Sequence, residues 1–390
     1  MKITRVTAYA IKIPRDLATA RGTAGSPAPL IDGVSDYRFA ATYQTLYSTK
    51  IETALVKVET DAGLIGWGES QAPLAPEVVR TIIETLLAPQ LIGQDPMAHE
   101  RLWTRMYAGM RARGHTGSFM LDAIAGVDTA LWDLRGKALK VRVCDLLGGP
   151  FANELPAYIS GLAGVNDEAR LAQAAEYSER GFSAFKIFME GEPEATLRLL
   201  DGLRAKLGPT AKLMVDALWR CSPAEAAQFG RELDARQVMW FEAPISPEDV
   251  PGHARLAASV ATAIAIGESY RTRWELRPFF ETGAVEVLQP DIGRTGVTEG
   301  MKIAALAEAY HVPVALHVSI GLGVQIAAAL QVAASIPNLL FIECNPQVWQ
   351  VAETLLKSPL PVGAGVVGIP AGVGLGVEID EEKLQPFIVR

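Results

Sequence analysis

The sequence predicts an α/β fold: a closed (β/α)8 barrel of the TIM type, joined to a smaller α+β unit. The main observation is that, from Leu155 onward, eight short apolar runs alternate with amphipathic helical stretches. Apolar strands with a helix between each pair are typical of a parallel sheet buried on both faces, and eight of them indicate a barrel. The Gly-rich phosphate-binding sequence of an open doubly wound sheet is missing after the first run, so the open sheet is the less favoured alternative. The 390 residues accommodate a barrel of ~250 residues and a second domain.

The eight runs that predict barrel strands are Leu155–Ile159, Ala184–Met189, Lys212–Val215, Val238–Phe241, Thr262–Ile266, Glu286–Leu288, Pro313–Leu316 and Leu339–Ile342. Ahead of them, Ile3–Ile13 alternates as a strand, and Ile51–Thr60 and Leu64–Glu69 flank a turn, which predicts a small antiparallel sheet. Helical periodicity follows between residues 77 and 139. We therefore expect an N-terminal capping domain over residues 1–125, the barrel over 126–365, and a C-terminal segment over 366–390 that returns to the capping domain.

A long segment separates the first two predicted strands of the capping domain. Arg15–Ser48 is rich in Gly, Ala, Pro and Ser and is too long for an ordinary connection, which predicts a lid or binding loop, with disorder as the alternative. Tyr43 and Tyr47 are candidate substrate contacts from this lid; the alternative is that they are ordinary surface tyrosines. Substrate length and stereochemistry depend on such lid side chains and stay open.

Composition excludes several classes of function. The net charge of −8, with no run of five basic residues, disfavours a nucleic-acid partner. Three cysteines without metal-type spacing predict reduced thiols. No apolar run reaches the ~18 residues of a membrane span and the first residues alternate like a strand, so we expect a cytoplasmic protein without a membrane partner.

Ionisable residues follow six successive apolar runs at intervals of 23 to 26 residues. They are Asp216, Glu242, Glu268, Asp291, His317 and Glu343. Each predicted β/α unit thus places one such group at the same end of its strand, and in a barrel that end is the mouth that carries active sites. We expect the six side chains to converge.

The first three of these residues predict a metal site. Carboxylates at Asp216, Glu242 and Glu268 would repel one another without a cation, and an oxygen-only ligand set favours Mg²⁺ over zinc. Each carboxylate alone could equally be a helix N-cap or a surface acid. Equal spacing on three adjacent strands favours the metal.

The remaining strand-end residues predict a base and its partners. Asp291 can accept a hydrogen bond from His317, fix its tautomer and raise the basicity of the other nitrogen, although a histidine after an apolar strand is often only a core residue. Lys186 in the second run would be costly unless it faced the polar mouth, where it can pair with an anion. Residue i+2 on the same strand face is Phe188. Glu343 completes the ring as an acceptor or donor to a substrate oxygen.

These motifs resemble the mandelate racemase and muconate lactonizing branch of the enolase superfamily. The resemblance is carried by GFSAFKIF, VDA, WFEAP, IGES, QPDIGR, ALHVS and IEC on successive strands, and by GWGES in the capping domain. It implies a magnesium enzyme with Asp216, Glu242 and Glu268 as ligands, Asp291 and His317 as a general acid/base dyad, and Glu343 as a substrate-oxygen partner. It also implies a small carboxylate substrate and a homo-oligomer. Glu69, in GWGES, is not expected to be a ligand.

The sequence departs from the family pattern at the second strand. The family usually has Lys-x-Lys there, whereas Phe188 replaces the second lysine, which argues against a two-base racemase. The segment after QPDI also lacks the usual paired glycines and is assigned no role. The resemblance implies the reaction step that members of the enolase superfamily share, which is removal of the proton α to a carboxylate. In that step Mg²⁺ stabilises the resulting anion.

With one base, the chemistry that the residues favour is dehydration of a sugar acid to a 2-keto-3-deoxy acid, His317 acting as base and then as acid. A racemase, epimerase or cycloisomerase with Lys186 as the opposing base is a second hypothesis. A noncatalytic relative that only binds metal and anion is a third, from another class; the intact pair of Asp291 and His317 argues against it.

Overall fold

The capping domain is built on a three-stranded antiparallel sheet in the order β1 (Ile3–Pro14), β4 (Lys50–Thr60) and β5 (Ile65–Ser70). A computed structural model of the chain describes residues 1–14, 36–40, 44–164 and 166–389. The strands of this part are β1 (Ile3–Pro14), β2 (Tyr37–Ala40), β3 (Thr45–Ser48), β4 (Lys50–Thr60) and β5 (Ile65–Ser70). Strands β4 and β5 flank the turn that the sequence predicts, and β2 and β3 form a separate hairpin. That hairpin is the described part of the predicted lid; Tyr43 lies outside the described residues.

Helices cover one face of this sheet. They are α1 (Pro76–Ile82), which continues as a π-helical turn over Ile83–Leu87, α2 (Ala88–Leu91), a 3₁₀ turn at Pro96–Ala98, α3 (His99–Arg111), α4 (Ser118–Leu139) and α5 (Val143–Leu146). Helix α4 packs directly on β5: a Cβ at Gly68 would lie 1.9 Å from the carbonyl oxygen of Gly126. Glycine is therefore required there. Helix α4 continues across the expected domain boundary between residues 125 and 126. It also packs against a helix of the barrel, Ile292–Ala309.

The barrel consists of eight parallel strands, β6 to β13, and it closes because β13 pairs with β6 as well as with β12. The strands are β6 (Glu154–Ser160), β7 (Ala184–Phe188), β8 (Lys212–Asp216), β9 (Trp240–Glu242), β10 (Ala263–Ile266), β11 (Val287–Leu288), β12 (Val314–Leu316) and β13 (Leu339–Cys344). The helices between and after them are α6 (Asp167–Glu179), α7 (Pro193–Leu207), α8 (Pro223–Ala235), α9 (Val250–Ala257), α10 (Arg273–Glu281), α11 (Ile292–Ala309), α12 (Val324–Ala334) and α13 (Pro346–Leu355). The predicted barrel is confirmed.

One buried side chain from each strand fills the interior of the barrel. These are Tyr158, Ala184, Met214, Trp240, Ala265, Val287, Ala315 and Phe341. Because side chains alternate along a strand, the residue two positions later also faces inward, one layer nearer the mouth. On five strands that next residue is Lys186, Asp216, Glu242, His317 or Glu343. The apolar layer thus closes the floor beneath the polar groups.

The C-terminal segment returns to the capping domain, as the sequence predicts. Strand β14 (Val366–Gly368) pairs antiparallel with the start of β6, and helix α14 (Glu381–Leu384) and a 3₁₀ turn at Gln385–Phe387 follow. The backbone N–H of Val389 then donates to the carbonyl oxygen of Ala10 in β1 at 2.8 Å. Among the described residues, each helix is too short or too polar to cross a lipid bilayer.

Candidate active site

A cavity of about 550 Å³ opens at the C-terminal ends of the barrel strands. Its floor is the predicted polar ring, and its walls include the β2–β3 hairpin and the loops after the strands. Of the residues that the sequence singled out, the cavity is lined by Lys186, Phe188, Asp216, Glu268, His317, Glu343 and Tyr47. Glu242 and Asp291 lie directly behind this lining, where each contacts one of its members. The structure therefore brings together the predicted site residues that lie within its described parts, which leaves out Tyr43.

Lys186 lies among three carboxylates, Asp216, Glu242 and Glu343, which together form an acidic cluster. Its side chain is 1 % exposed, and its Nζ lies 2.6 Å from Glu242 Oε1, 3.2 Å from Glu343 Oε1 and 3.6 Å from Asp216 Oδ2. Burial alone would lower the pKa of Lys186, but the charges of Glu242, Glu343 and Asp216 raise it well above its ordinary value. A buried ammonium is tolerated because carboxylates compensate its charge.

The three carboxylates expected to bind metal end neighbouring strands. Asp216 is paired in register with Glu242, and Glu268 follows β10 after Gly267. Burial and the charge of Glu242 raise the pKa of the Asp216 carboxyl well above its usual value. The negative charge of Asp216 is therefore under-compensated, and an additional cation beside it would stabilise the ionised form.

The side chains are not gathered around a single point in this conformation. Glu268 contacts residues outside the expected ligand set: its Oε1 accepts from Trp219 Nε1 at 3.1 Å and its Oε2 lies 3.0 Å from His317 Nε2. Among the described residues, no three His, Cys, Asp or Glu side chains stand close enough to hold an ion as they are. The oxygen-only donor set fits Mg²⁺ in chemistry, and the three side chains would have to come closer together to hold it.

His317 and Asp291 form the predicted pair. Nδ1 of His317 lies 2.7 Å from Asp291 Oδ2, while Asp291 Oδ1 accepts from the backbone N–H of Gly293 at 2.8 Å. Burial opposes protonation, but Glu343, Asp291 and Glu268 raise the pKa of His317 well above its ordinary value. With Nδ1–H held by Asp291, Nε2 is the nitrogen that can exchange a proton with a substrate.

Glu343 and Phe188 occupy the remaining predicted positions. Glu343 Oε2 accepts from the backbone N–H of Val318 at 2.9 Å, which fixes one oxygen and leaves the other toward Lys186. Phe188 ends β7 and lines the cavity, with Lys186 Nζ 5.8 Å from its ring centroid. Strands β6 and β13 separate β7 from β12, so Phe188 and His317 stand on different sides of the mouth.

Side chains that were not predicted to belong to the site also contact the acidic groups, among them Trp219, Trp240 and Gln289. Trp219 donates to Glu268, and Gln289 Nε2 donates to Glu242 Oε2 at 2.6 Å. Gln289 lies two residues after the inward-facing Val287, so strand alternation could have identified it. Trp219 has φ of 61° and follows Leu218 at 50°, left-handed conformations that are unusual for such side chains. No sequence pattern signals this loop shape.

Glu69 of the capping domain contacts a different part of the barrel from Glu268, although both residues lie in a GES triplet. Its Oε1 accepts from the backbone N–H of Leu322 at 2.6 Å and its Oε2 from that of Gln325 at 2.9 Å. Leu322 lies in the loop between β12 and α12, and Gln325 lies in the first turn of α12. Burial raises the pKa of Glu69 to about 7. This carboxylate ties the capping domain to the loop that follows the histidine strand, outside the acidic cluster.

A capped barrel with this ring of strand-end acids, lysine and histidine defines a class of barrel enzymes that act on the carbon next to a carboxylate. Residues 40–148 match the family described as the N-terminal domain of mandelate racemase and muconate lactonizing enzyme, and residues 169–383 match the enolase C-terminal domain-like family. The chain belongs to the mandelate racemase and muconate lactonizing enzyme family of the enolase superfamily.

The names of several similar proteins refer to sugar acids or their lactones. D-galactarolactone cycloisomerase of Agrobacterium fabrum is 36% identical over 85% of this chain and 90% of its own length. D-galactonate dehydratase of Ralstonia nicotianae is 34% identical over 86% of this chain and 91% of its own. A solved enolase-superfamily member from Agrobacterium tumefaciens, 32% identical, superposes with a TM-score of 0.91 over 98% of both chains. A racemase from Streptomyces coelicolor A3(2) with bound magnesium shares the fold, at 24% identity and a TM-score of 0.86 over 99% of this chain and 100% of its own.

Proposed function

We propose that the chain is a Mg²⁺-dependent dehydratase of a sugar acid, an aldonate or aldarate, with Asp216, Glu242 and Glu268 as the metal ligands. The observation that carries the proposal is the asymmetry of the mouth. One side holds a histidine oriented by a carboxylate, and the position that would supply a second base holds Phe188. Such a site can remove one proton and return one.

Once Glu268, which raises the pKa of His317, has turned away and the imidazole is neutral, Nε2 takes the proton from the carbon next to the substrate carboxylate. Asp291 holds Nδ1–H during this step and stabilises the imidazolium that forms. Mg²⁺, when bound, supplies Lewis-acid stabilisation of the negative charge that develops on the substrate carboxylate. Lys186 offers a second positive contact to the same group.

The imidazolium of His317 then gives its proton to the departing β-hydroxyl, which leaves as water. The resulting enol tautomerises to a 2-keto-3-deoxy acid, taking a proton from solvent at C3. Glu343, held by the N–H of Val318, accepts from or donates to a substrate hydroxyl. The apolar ring of Phe188 leaves the opposite face of the reacting carbon without a base.

A second candidate is a cycloisomerase in which the leaving oxygen belongs to a ring of the substrate. The name of the A. fabrum relative favours it, and it too needs only one base. Cycloisomerisation does not need Lys186 as that base, because the Lys186 ammonium contacts three carboxylates and has no free electron pair. Product mass separates the two reactions, because dehydration loses one water and cycloisomerisation keeps the mass of the substrate.

The test is a screen of the purified protein with Mg²⁺ against aldonates, aldarates and their lactones. The proposal expects 2-keto acid from at least one open-chain acid and none with the His317→Asn variant. Complete absence of 2-keto product across the panel would contradict dehydration, and a ring-opened product of unchanged mass would favour the cycloisomerase.

A further inference from the structure

Gln71 and Arg294, which line the cavity, each carry a buried polar atom without a partner among the described residues. The side-chain Oε1 of Gln71 and the Nε of Arg294 are both buried, and neither has a hydrogen-bond partner within the described parts of the chain. Both residues line the cavity, and Gln71 is only 1 % exposed. Buried polar groups are normally satisfied, so two unsatisfied ones that line the same cavity point to a ligand.

The two residues come from different domains and meet at their boundary. Gln71 follows β5 of the capping domain, and Arg294 is in the first turn of α11, just after the N-cap residue Asp291. The backbone N–H of Gln71 donates to the carbonyl oxygen of Gly293 at 2.9 Å. The backbone contact therefore holds Gln71 beside the residue that precedes Arg294, and both side chains line the same cavity.

The carboxylates nearest to Arg294 are already engaged elsewhere. Asp122 is held by Arg271, whose Nε and Nη2 donate to its two oxygens at 3.0 and 3.1 Å. Glu268 accepts from Trp219 and faces His317. Arg294 has no ion pair of its own among residues 1–14, 36–40, 44–164 and 166–389. A half-buried guanidinium in this position is costly unless an anion pairs with it.

We infer that Gln71 and Arg294 form a second anion subsite, which binds the far carboxylate of a hydroxy diacid and the hydroxyl beside it. This inference rests on the proposed function and specifies its substrate class: an aldarate rather than an aldonate. The guanidinium matches a carboxylate with paired donors. The Gln71 oxygen accepts from the neighbouring hydroxyl, and its amide N–H₂ can donate to the carboxylate. The terminal CH₂OH of an aldonate would leave the charge of Arg294 without a partner.

The test compares an aldarate and an aldonate of the same chain length and hydroxyl configuration. For the unaltered protein we expect the higher kcat/KM with the aldarate. In Arg294→Gln the ratio of the two kcat/KM values should fall by roughly 30-fold or more, since a charge-assisted bidentate contact is lost. Arg294→Lys should restore part of the ratio. Arg101→Gln, an exposed arginine on α3, is the matched control and should leave the ratio as it is.

Binding separates failure of this inference from failure of the proposed reaction. Calorimetric titration of the His317→Asn protein with each acid, in the presence of Mg²⁺, needs no turnover. Tighter aldarate binding that is lost in the double variant with Arg294→Gln supports the subsite, even if no dehydration is found. Equal binding of both acids, or an Arg294→Gln effect of the same size on each, would overturn it.

Discussion

The imidazole of His317 and the carboxylate of Asp291 meet across two adjacent strand ends, with 2.7 Å between Nδ1 and Oδ2. The same two residues are joined by a parallel backbone bridge, and the N–H of His317 donates to the carbonyl oxygen of Pro290 at 3.2 Å. The pair is thus fixed by the barrel itself. Its contribution is to hold the proton on Nδ1 and leave Nε2 for the substrate.

Asp291→Asn should reduce kcat by about 100-fold or more, because an amide can present its N–H₂ to Nδ1 and select the wrong tautomer. KM should change much less, since Asp291 does not line the cavity. Steady-state kinetics with the substrate found in the screen provide the measurement. Equal losses in kcat for this variant and for a change at an exposed acid such as Glu308→Gln would contradict the assignment.

Phe188→His should place a second base in the mouth, at the end of β7 and apart from His317. We expect solvent deuterium to appear at Cα of unreacted substrate at least about 10-fold faster than in the unaltered protein, because proton return from a second side becomes available. Phe188→Leu is the matched control, since it keeps the position apolar. If both variants exchange at the same rate, Phe188 is not what limits the site to one base.

Magnesium should raise the thermal stability of the protein by mass action. At a concentration 100 times its dissociation constant, a ligand of the folded state adds about 2.7 kcal/mol to the free energy of unfolding. Asp216→Asn and Glu242→Gln should each weaken this shift in melting temperature, and a chelator should abolish both the shift and the activity. An equal shift in the unaltered protein and in both variants would place the metal elsewhere.

Glu69 should make stability depend on pH in a defined window. Its pKa is raised from 4.5 to about 7 in the folded protein, so between these values the folded state binds the proton more readily than the unfolded state does. Stability therefore falls as pH rises through this window, by up to about 3 kcal/mol for this group. Urea unfolding of the unaltered protein and Glu69→Gln at pH 4.5 to 7.5 isolates the contribution.

The difference in unfolding free energy between these two proteins should change across the window and level off above pH 7. Glu84→Gln, an exposed change on the same domain, is the control and should give a difference that does not depend on pH. A constant difference for Glu69→Gln would show that Glu69 does not titrate there.

Sequence patterns predicted the barrel and the ring at its mouth because both follow from local rules. Apolar runs of strand length fix the eight strands, and strand alternation places Lys186, Asp216 and His317 one layer above the apolar floor. The conformation of the ring was not predictable, because it depends on which partner each side chain finds. Lys186 contacts three carboxylates, and Glu268 turns toward His317.

The second anion subsite could not be predicted from the sequence, for a related reason. Gln71 and Arg294 are separated by more than half of the chain and meet only where the capping domain docks on the barrel. Trp219 likewise reaches Glu268 only through a left-handed turn that its sequence does not favour. Contacts made across domains and by unusual loops carry no periodic signal.

The central claim is that one base removes the α-proton and that a β-hydroxyl then leaves. The reaction in D₂O, followed by proton NMR with the acid found in the screen, tests it most directly. The account predicts a 2-keto-3-deoxy product with one deuterium at C3, recovered substrate without deuterium at Cα, and no product with His317→Asn. Deuterium accumulating at Cα of recovered substrate without loss of water would contradict it.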